Sequence, residues 1–337
     1  MNTKRWIALV SAAVLLFFSL GLNTIMSLFK TDFFSSFESA FDVTESTVYE
    51  TPIENGAMDN RIALVSVEGT ILDVGSGSWW EEVQYNHQGF MAQLDSILND
   101  DTVKGVVLEV NSPGGGVIES AEIHEKLVQI KEQREIPIYV SMGTYAASGG
   151  YYIAAPADKI FAQKETITGS IGVIMQAINY EELAEKVGIK FETIKSGQHK
   201  DMLGGSRAST EEEKAMLQEI IDESYEDFVD VIEQGRGMTE AEVKAVADGR
   251  ILGGTQAVRA GLVDDIGKLD DTIAALRADY GLEEAQLFEY TTTNDSLGSL
   301  LGVKISSLFG PSQEEQLMQK ILSTSNSPRM MYLYGEY

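Results

Sequence analysis

Runs of β-rich apolar sequence alternate with segments of helical period along most of this chain, and no other feature restricts the fold as much. Arg61–Val67 reads as a strand and His87–Leu98 as a helix with Phe90, Leu94 and Ile97 on its inward face. The pattern returns with a strand at Gly105–Val110, a helical face of Ile123, Leu127 and Ile130, and a third strand at Ile138–Met142. Further strands are predicted at Lys159–Ala162 and Phe191–Ile194. A long helix begins at Thr210, where Glu213 completes a capping box, and carries Leu217, Ile221, Phe228 and Ile232 on one face. Thr239 with Glu242 opens a shorter helix in the same way. This is an α/β pattern, and with no repeat of fixed period it predicts one α/β domain over 61–290 with a helical appendage. Residues 291–337 form a C-terminal region with a weaker signal and an apolar tail.

From Trp6 to Phe29 the chain has 24 residues without a charge. As a helix this run is roughly 36 Å long at ~1.5 Å per residue, enough to cross a ~30 Å hydrocarbon layer. No small-residue cleavage site follows it, so residues 6–29 are expected to be an uncleaved transmembrane anchor in the bilayer. Lys4 and Arg5 precede the run, whereas Lys30 is soon followed by Asp32, Glu38 and Asp42. The basic flank stays in the cytoplasm, which makes residues 1–5 a cytoplasmic tip and puts the bulk of the chain outside the cell membrane. Residues 30–60, with Phe33, Phe34, Phe37 and Phe41 among Ser, Thr and acids, read as a linker.

Acidic side chains outnumber basic ones by 52 to 25, a formal charge of −27 that repels nucleic acid phosphates. No nucleic acid partner is expected, and the charge reads first as a solvated surface. There is no cysteine, which excludes disulfides, thiol catalysis and cysteine metal sites. Only His87, His124 and His199 remain as candidate imidazole ligands, and they are far apart, so no metal and no cofactor is predicted.

Four loops carry the residue types that could do chemistry. Asn111-Ser112-Pro113-Gly114-Gly115-Gly116 follows a buried strand and precedes a helix, so its backbone N–H groups can approach a ligand. It could hold a phosphate or an oxyanion, although the Walker and dinucleotide spacings are both missing. Ala146-Ala147-Ser148-Gly149-Gly150 places Ser148 at a helix start among small neighbours, a position that suits a nucleophile and equally suits an N-cap. A serine hydroxyl needs a base, and Ser196-Gly197-Gln198-His199-Lys200-Asp201 offers both a histidine and a lysine, while Gly169-Ser170-Ile171-Gly172 offers a second hydroxyl.

Taken together and in this order, the Pro-Gly-Gly-Gly turn, the Ala-Ser-Gly-Gly-Tyr-Tyr run, the Gly-Ser-Ile-Gly turn and the Ser-Gly-x-x-Lys-Asp run resemble the signal peptide peptidase A family. The likeness covers roughly residues 60–270, and its half-length Gram-positive members are the most similar in length and anchor. That family belongs to the Clp-protease/crotonase superfamily, so the resemblance implies an α/β fold of repeated β-β-α units behind one transmembrane helix. It implies a serine peptidase with Ser148 as nucleophile, Lys200 as general base, Ser170 orienting the lysine amine, and the N–H groups of Gly115 and Gly149 as oxyanion donors. It implies apolar remnant signal peptides as substrates, and a ring of eight subunits in which serine and lysine come from neighbouring chains. A crotonase-like acyl-CoA enzyme and a catalytically inert scaffold of the same fold are the competing readings.

Met330-Met331-Tyr332-Leu333-Tyr334 is costly to leave in water at the end of a soluble domain. It is expected to dock in a groove, either the chain's own substrate cleft or a subunit interface.

Overall fold

The computed structural model describes residues 48–73, 85–292 and 329–335. The apolar run 6–29 and most of the linker lie outside them, and among the described residues no helix is long and apolar enough to cross a membrane. The chain order is β1 (Val48–Glu54), β2 (Ala57–Glu68), α1 (His87–Asn99), β3 (Val103–Ser112), β4 (Gly114–Gly116) and α2 (Val117–Arg134). There follow β5 (Ile138–Ala147), α3 (Gly149–Ala154), β6 (Lys159–Ala162), β7 (Ile167–Gly169), α4 (Glu181–Lys186), α5 (Glu211–Arg236) and α6 (Glu240–Lys244). The chain closes with β8 (Ile251–Gly253), α7 (Gly254–Arg259), β9 (Asp265–Ile266), α8 (Leu269–Tyr280), β10 (Ala285–Thr292) and β11 (Met331–Leu333).

The main sheet runs β1-β10-β2-β3-β5-β6-β9, with β7 beside the far end of β5 and β8 beside β7. Its central pairs are parallel; β1 with β10 and β7 with β8 are antiparallel. A parallel sheet must be covered on both faces, and the period of two in its strands shows how this is done. Ala63, Val65 and Val67 of β2, Val106, Leu108 and Val110 of β3, and Val140 and Met142 of β5 face α1, α2, α3 and α5. The alternate residues Ile62, Leu64, Val107 and Tyr139 face Ile273 and Leu276 of α8. On the first face, Phe90, Leu94, Ile97, Ile123, Leu127 and Ile130 are all buried, as their helical spacing predicts.

Two local features depart from the sequence reading. The span Phe191–Ile194 is not a strand: it is exposed and unpaired among the described residues, and Ile194 is 96% accessible. Strand β1 lies within the span read as linker, where its mostly exposed residues give no core pattern, and it is held by pairing to β10. Both capping boxes are present, at Thr210 with Glu213 and at Thr239 with Glu242.

Candidate active site

Parallel sheets collect ligands at the carboxyl ends of their strands. Here β3 ends at Ser112 and continues into β4, while β5 and β7 run side by side with Ala147 opposite Gly169. The next residue on each, Ser148 and Ser170, therefore emerges at the same edge. Both have positive φ, +54° and +50°, a sparsely populated conformation for a side-chain-bearing residue. The turn at Ser148 is fixed from both directions: its N–H donates to Gly169 O at 2.8 Å, and its carbonyl accepts from Tyr151 and Tyr152 N–H, both at 2.9 Å.

Although Ser148 occupies the N-cap position of α3, its side chain makes no cap hydrogen bond. The residue is 1% accessible and, among the described residues, Oγ has no hydrogen-bond partner. A buried hydroxyl without a partner costs about 1–3 kcal/mol, so the N-cap account of Ser148 does not explain it. Ser170 is half-buried, with its N–H bonded to Arg250 O at 2.7 Å.

Opposite Ser148, β4 is extended and bonded on both edges. Ile71 accepts from Gly116 N–H (2.8 Å) and donates to Gly114 O (2.9 Å), so the N–H and C=O of Gly115 face the other side. That side is filled by β11, antiparallel, with Tyr332 opposite Gly115. Tyr334 N–H donates to Pro113 O at 2.8 Å, and two residues along an antiparallel ladder the bonded pair recurs, which aims the Tyr332 carbonyl at Gly115 N–H. Gly149 closes the same point: a Cβ there would lie 3.0 Å from Gly115 N and 3.1 Å from Tyr332 O. A Cβ on Gly114 would overlap Tyr332 O and stand 2.6 Å from Gly149 N. Three glycines thus let a peptide carbonyl, the Gly115 and Gly149 amides and the serine turn converge, and the carbonyl present is the chain's own.

The other edge of β11 bonds to Ile174 through Met331, with N–H···O distances of 2.9 and 3.1 Å. The tail is therefore sandwiched between β4 and the segment after Ser170, which answers where the apolar tail docks. The Tyr332 ring is buried, stacked on Tyr152 with centroids 4.9 Å apart and packed against Phe228 at 4.7 Å, with its hydroxyl donating to Ser224 O at 2.8 Å. Burial pushes the Tyr152 hydroxyl up to about 12 and that of Tyr332 higher, so both remain neutral donors. His124 packs edge-on against Tyr152 at 5.3 Å, and burial lowers its imidazole to about 4. Tyr152 and Phe228 were not predicted as pocket residues; the signal was present in the second tyrosine of the Gly-Gly-Tyr-Tyr run and in the α5 face.

Lys200 is on the surface of the chain. It sits in a turn where its N–H bonds to Gly197 O at 3.2 Å, it is exposed, and among the described residues its side chain has no ion pair or hydrogen bond. Its loop is held by ion pairs of Asp201 to Lys195 (2.7 Å) and Arg207 (2.6 Å), and of Arg207 to Glu213 (2.6 Å). Hydrogen bonds from Arg207 and Lys195 hold the Asp201 carboxyl well below its usual range, and Arg207 with the Thr210 N–H lowers Glu213 to about 2. His199 turns toward that network, Nδ1 to Glu213 Oε1 at 3.4 Å. The single chain brings Ser148, Ser170, Gly115 and Gly149 together; Lys200 is not bonded to them.

Residues 130–283 match the family model described as Peptidase family S49. Across 354 aligned positions the chain is 42% identical to "Putative signal peptide peptidase SppA" of Enterococcus faecium, with 99% of each chain covered. The chain belongs to the signal peptide peptidase A family. Two longer relatives agree: Protease 4 of Haemophilus influenzae is 31% identical over 84% of this chain and 48% of its own length. The chloroplastic serine protease SPPA of Arabidopsis thaliana is 31% identical over 74% of this chain and 37% of its own. The chain thus spans less than half the length of these two family members and the full length of the first.

Proposed function

We propose that this chain is a membrane-anchored serine endopeptidase that degrades remnant signal peptides outside the cytoplasm, with Ser148 as nucleophile and Lys200 of an adjacent subunit as general base. One observation carries the reading: a backbone carbonyl, that of Tyr332, faces Gly115 N–H and lies beside Gly149 at the turn that holds the unpartnered Ser148 hydroxyl. A peptide bound in the same register presents its scissile carbonyl to the same groups.

In the first step Lys200 Nζ, neutral, takes the Ser148 Oγ proton as Oγ bonds to the carbonyl carbon. The Gly115 and Gly149 amides stabilise the developing oxyanion, an interaction that strengthens as charge builds on the oxygen and is worth about 3–4 kcal/mol per donor. The lysine then gives its proton to the leaving amine as the C–N bond breaks, and water releases the acyl group by the reverse sequence. Ser170, level with Ser148 on the neighbouring strand, accepts a hydrogen bond from the lysine amine and orients it. A lysine serves as a base only when desolvated, and this one is exposed. A neighbouring subunit supplies the cover. Ile178, Leu183, Val187, Ile189, Phe191 and Ile194, all exposed and all just before the lysine loop, form an apolar surface suited to burial in a ring of eight such chains. The uncharged run 6–29 with Lys4 and Arg5 before it supports the anchor and its orientation.

Mass spectrometry of a synthetic signal peptide incubated with the detergent-solubilised full chain tests the reading. Internal fragments are expected from the wild type and none from Ser148→Ala. Fragments of equal yield from both would overturn the nucleophile, and intact peptide from both would overturn the activity.

A further inference from the structure

The tail in the cleft ends its apolar stretch on the amino side with a charge. Arg329 lies three residues before Tyr332, and its guanidinium faces Glu119, Nη1 to Oε1 at 3.8 Å. Glu119 is in the first turn of α2, immediately after β4, and its side chain is only 12% accessible, compared with 48% for Arg329. It is held in place: Oε1 accepts the Asp73 N–H at 3.1 Å, and Oε2 lies so close over Gly116 that a Cβ there would overlap it. A fixed, mostly buried carboxylate faces a half-exposed cation, which is the arrangement of a subsite and its ligand rather than of two surface partners.

The antiparallel register makes the placement general. A peptide that binds β4 with its carbonyl at Gly115 brings the residue three positions earlier to the Gly116 end of β4, where Glu119 follows, as the tail brings Arg329, two residues before the paired stretch Met331–Leu333. We propose that Glu119 is a specificity-determining residue that selects a lysine or arginine three residues before the scissile carbonyl. The preferred substrate is then a basic residue followed directly by apolar ones. Signal peptides have this order at the border between their basic start and apolar middle. Met331 and Tyr332, which follow Arg329 in the cleft, are themselves buried and apolar. The inference rests on the peptidase reading for its catalytic meaning, but the subsite can be tested without hydrolysis.

The measurement uses the full-length chain carrying Ser148→Ala and two labelled peptides: a copy of residues 327–334 and the same peptide with Arg329→Gln. Affinities are read by fluorescence anisotropy. The attached tail competes equally with both peptides and cancels in their ratio. The arginine peptide is expected to bind about two- to fivefold tighter, the range for a partly exposed ion pair. That ratio should shrink as salt is raised, and approach one in a second protein that also carries Glu119→Gln. The amide keeps an acceptor for the Asp73 N–H, so the local fold is preserved, and the salt dependence of the first protein stands should that variant not fold. Equal affinities at low salt, no binding by either peptide, or a preference that survives Glu119→Gln would each overturn the subsite. If the active enzyme cuts both peptides at equal rates, the subsite fails and the peptidase reading stands; if the preference is present but neither is cut, the reverse holds.

Discussion

At the scale of single residues, a one-position difference in one loop separates the two candidate bases. His199 and Lys200 are adjacent, and a serine–histidine pair would be the nearest mechanistic rival. The imidazole is turned into the Asp201–Arg207–Glu213 network, whereas the lysine side chain projects outward without a partner among the described residues. Lys200→Ala is therefore expected to lower kcat/KM at least about a hundredfold, the usual size of a general-base contribution. His199→Ala should keep most of the activity. The pH profile gives an independent sign: a lysine base becomes competent as it loses its proton. The rate should rise through an apparent pKa above the ~6.5 of histidine and below the ~10.4 of free lysine. A plateau already reached at neutrality, with loss of activity in His199→Ala alone, would reverse the assignment. None of this contrast is legible in Gln198-His199-Lys200-Asp201 as a string, because the imidazole is turned by Glu213 on the next helix, itself held by Arg207.

At the scale of elements, the strands that could be read from sequence are those buried on both faces. β2, β3, β5 and β6 are near-continuous apolar runs because helices cover each side. β4 has no side chains at all and β11 is three residues, so neither carries a periodic signal, yet they are the two strands that meet at the site. Phe191–Ile194 shows the opposite error: an aromatic and β-branched composition resembles a strand, but none of the described residues pairs with it. The site motifs were visible as glycine spacings, whereas the aromatic pocket was not, since Tyr152, Phe228 and Tyr332 come from three separate elements. That pocket has a pH-sensitive neighbour in His124. Its folded pKa of about 4 lies below the ~6.5 of an unfolded histidine, so below pH ~6.5 the unfolded chain takes up a proton the folded chain refuses. Native stability is then fully present at neutral pH and falls as pH drops from about 6.5 toward 4, by at most about 3 kcal/mol. His124→Phe preserves an aromatic edge against Tyr152 and removes the titration. Thermal unfolding followed from pH 7 to pH 4.5 should show a smaller fall in Tm for this variant; an unchanged slope would remove His124 from the acid response.

At the scale of the whole molecule, the proposed nucleophile Ser148 is buried and the proposed base Lys200 is exposed, and assembly is the arrangement that would reconcile them. A surface with exposed Ile178, Leu183, Val187, Ile189 and Ile194 next to the lysine loop is unfavourable in water and is removed when another copy covers it. The −27 formal charge opposes that assembly, because like-charged chains repel one another over about 10 Å at 0.1 M salt. Association should therefore strengthen as ionic strength rises, while hydrophobic burial supplies the attraction. Complementation tests whether the site is shared. A Ser148→Ala protein retains its lysine and a Lys200→Ala protein retains its serine, so each alone should be inactive. Co-assembled after dissociation, the mixture regains sites at every junction where an intact serine meets a neighbour's intact lysine. With equal amounts and random mixing about a quarter of junctions are complete, which corresponds to roughly a quarter of wild-type kcat if the junctions act independently. If serine and lysine instead came from one chain, no mixed ring could hold an intact pair, and activity would stay at the level of the separate variants. Native mass spectrometry of the same sample establishes that the rings are mixed, so an inactive mixed ring would count directly against a site built from two subunits.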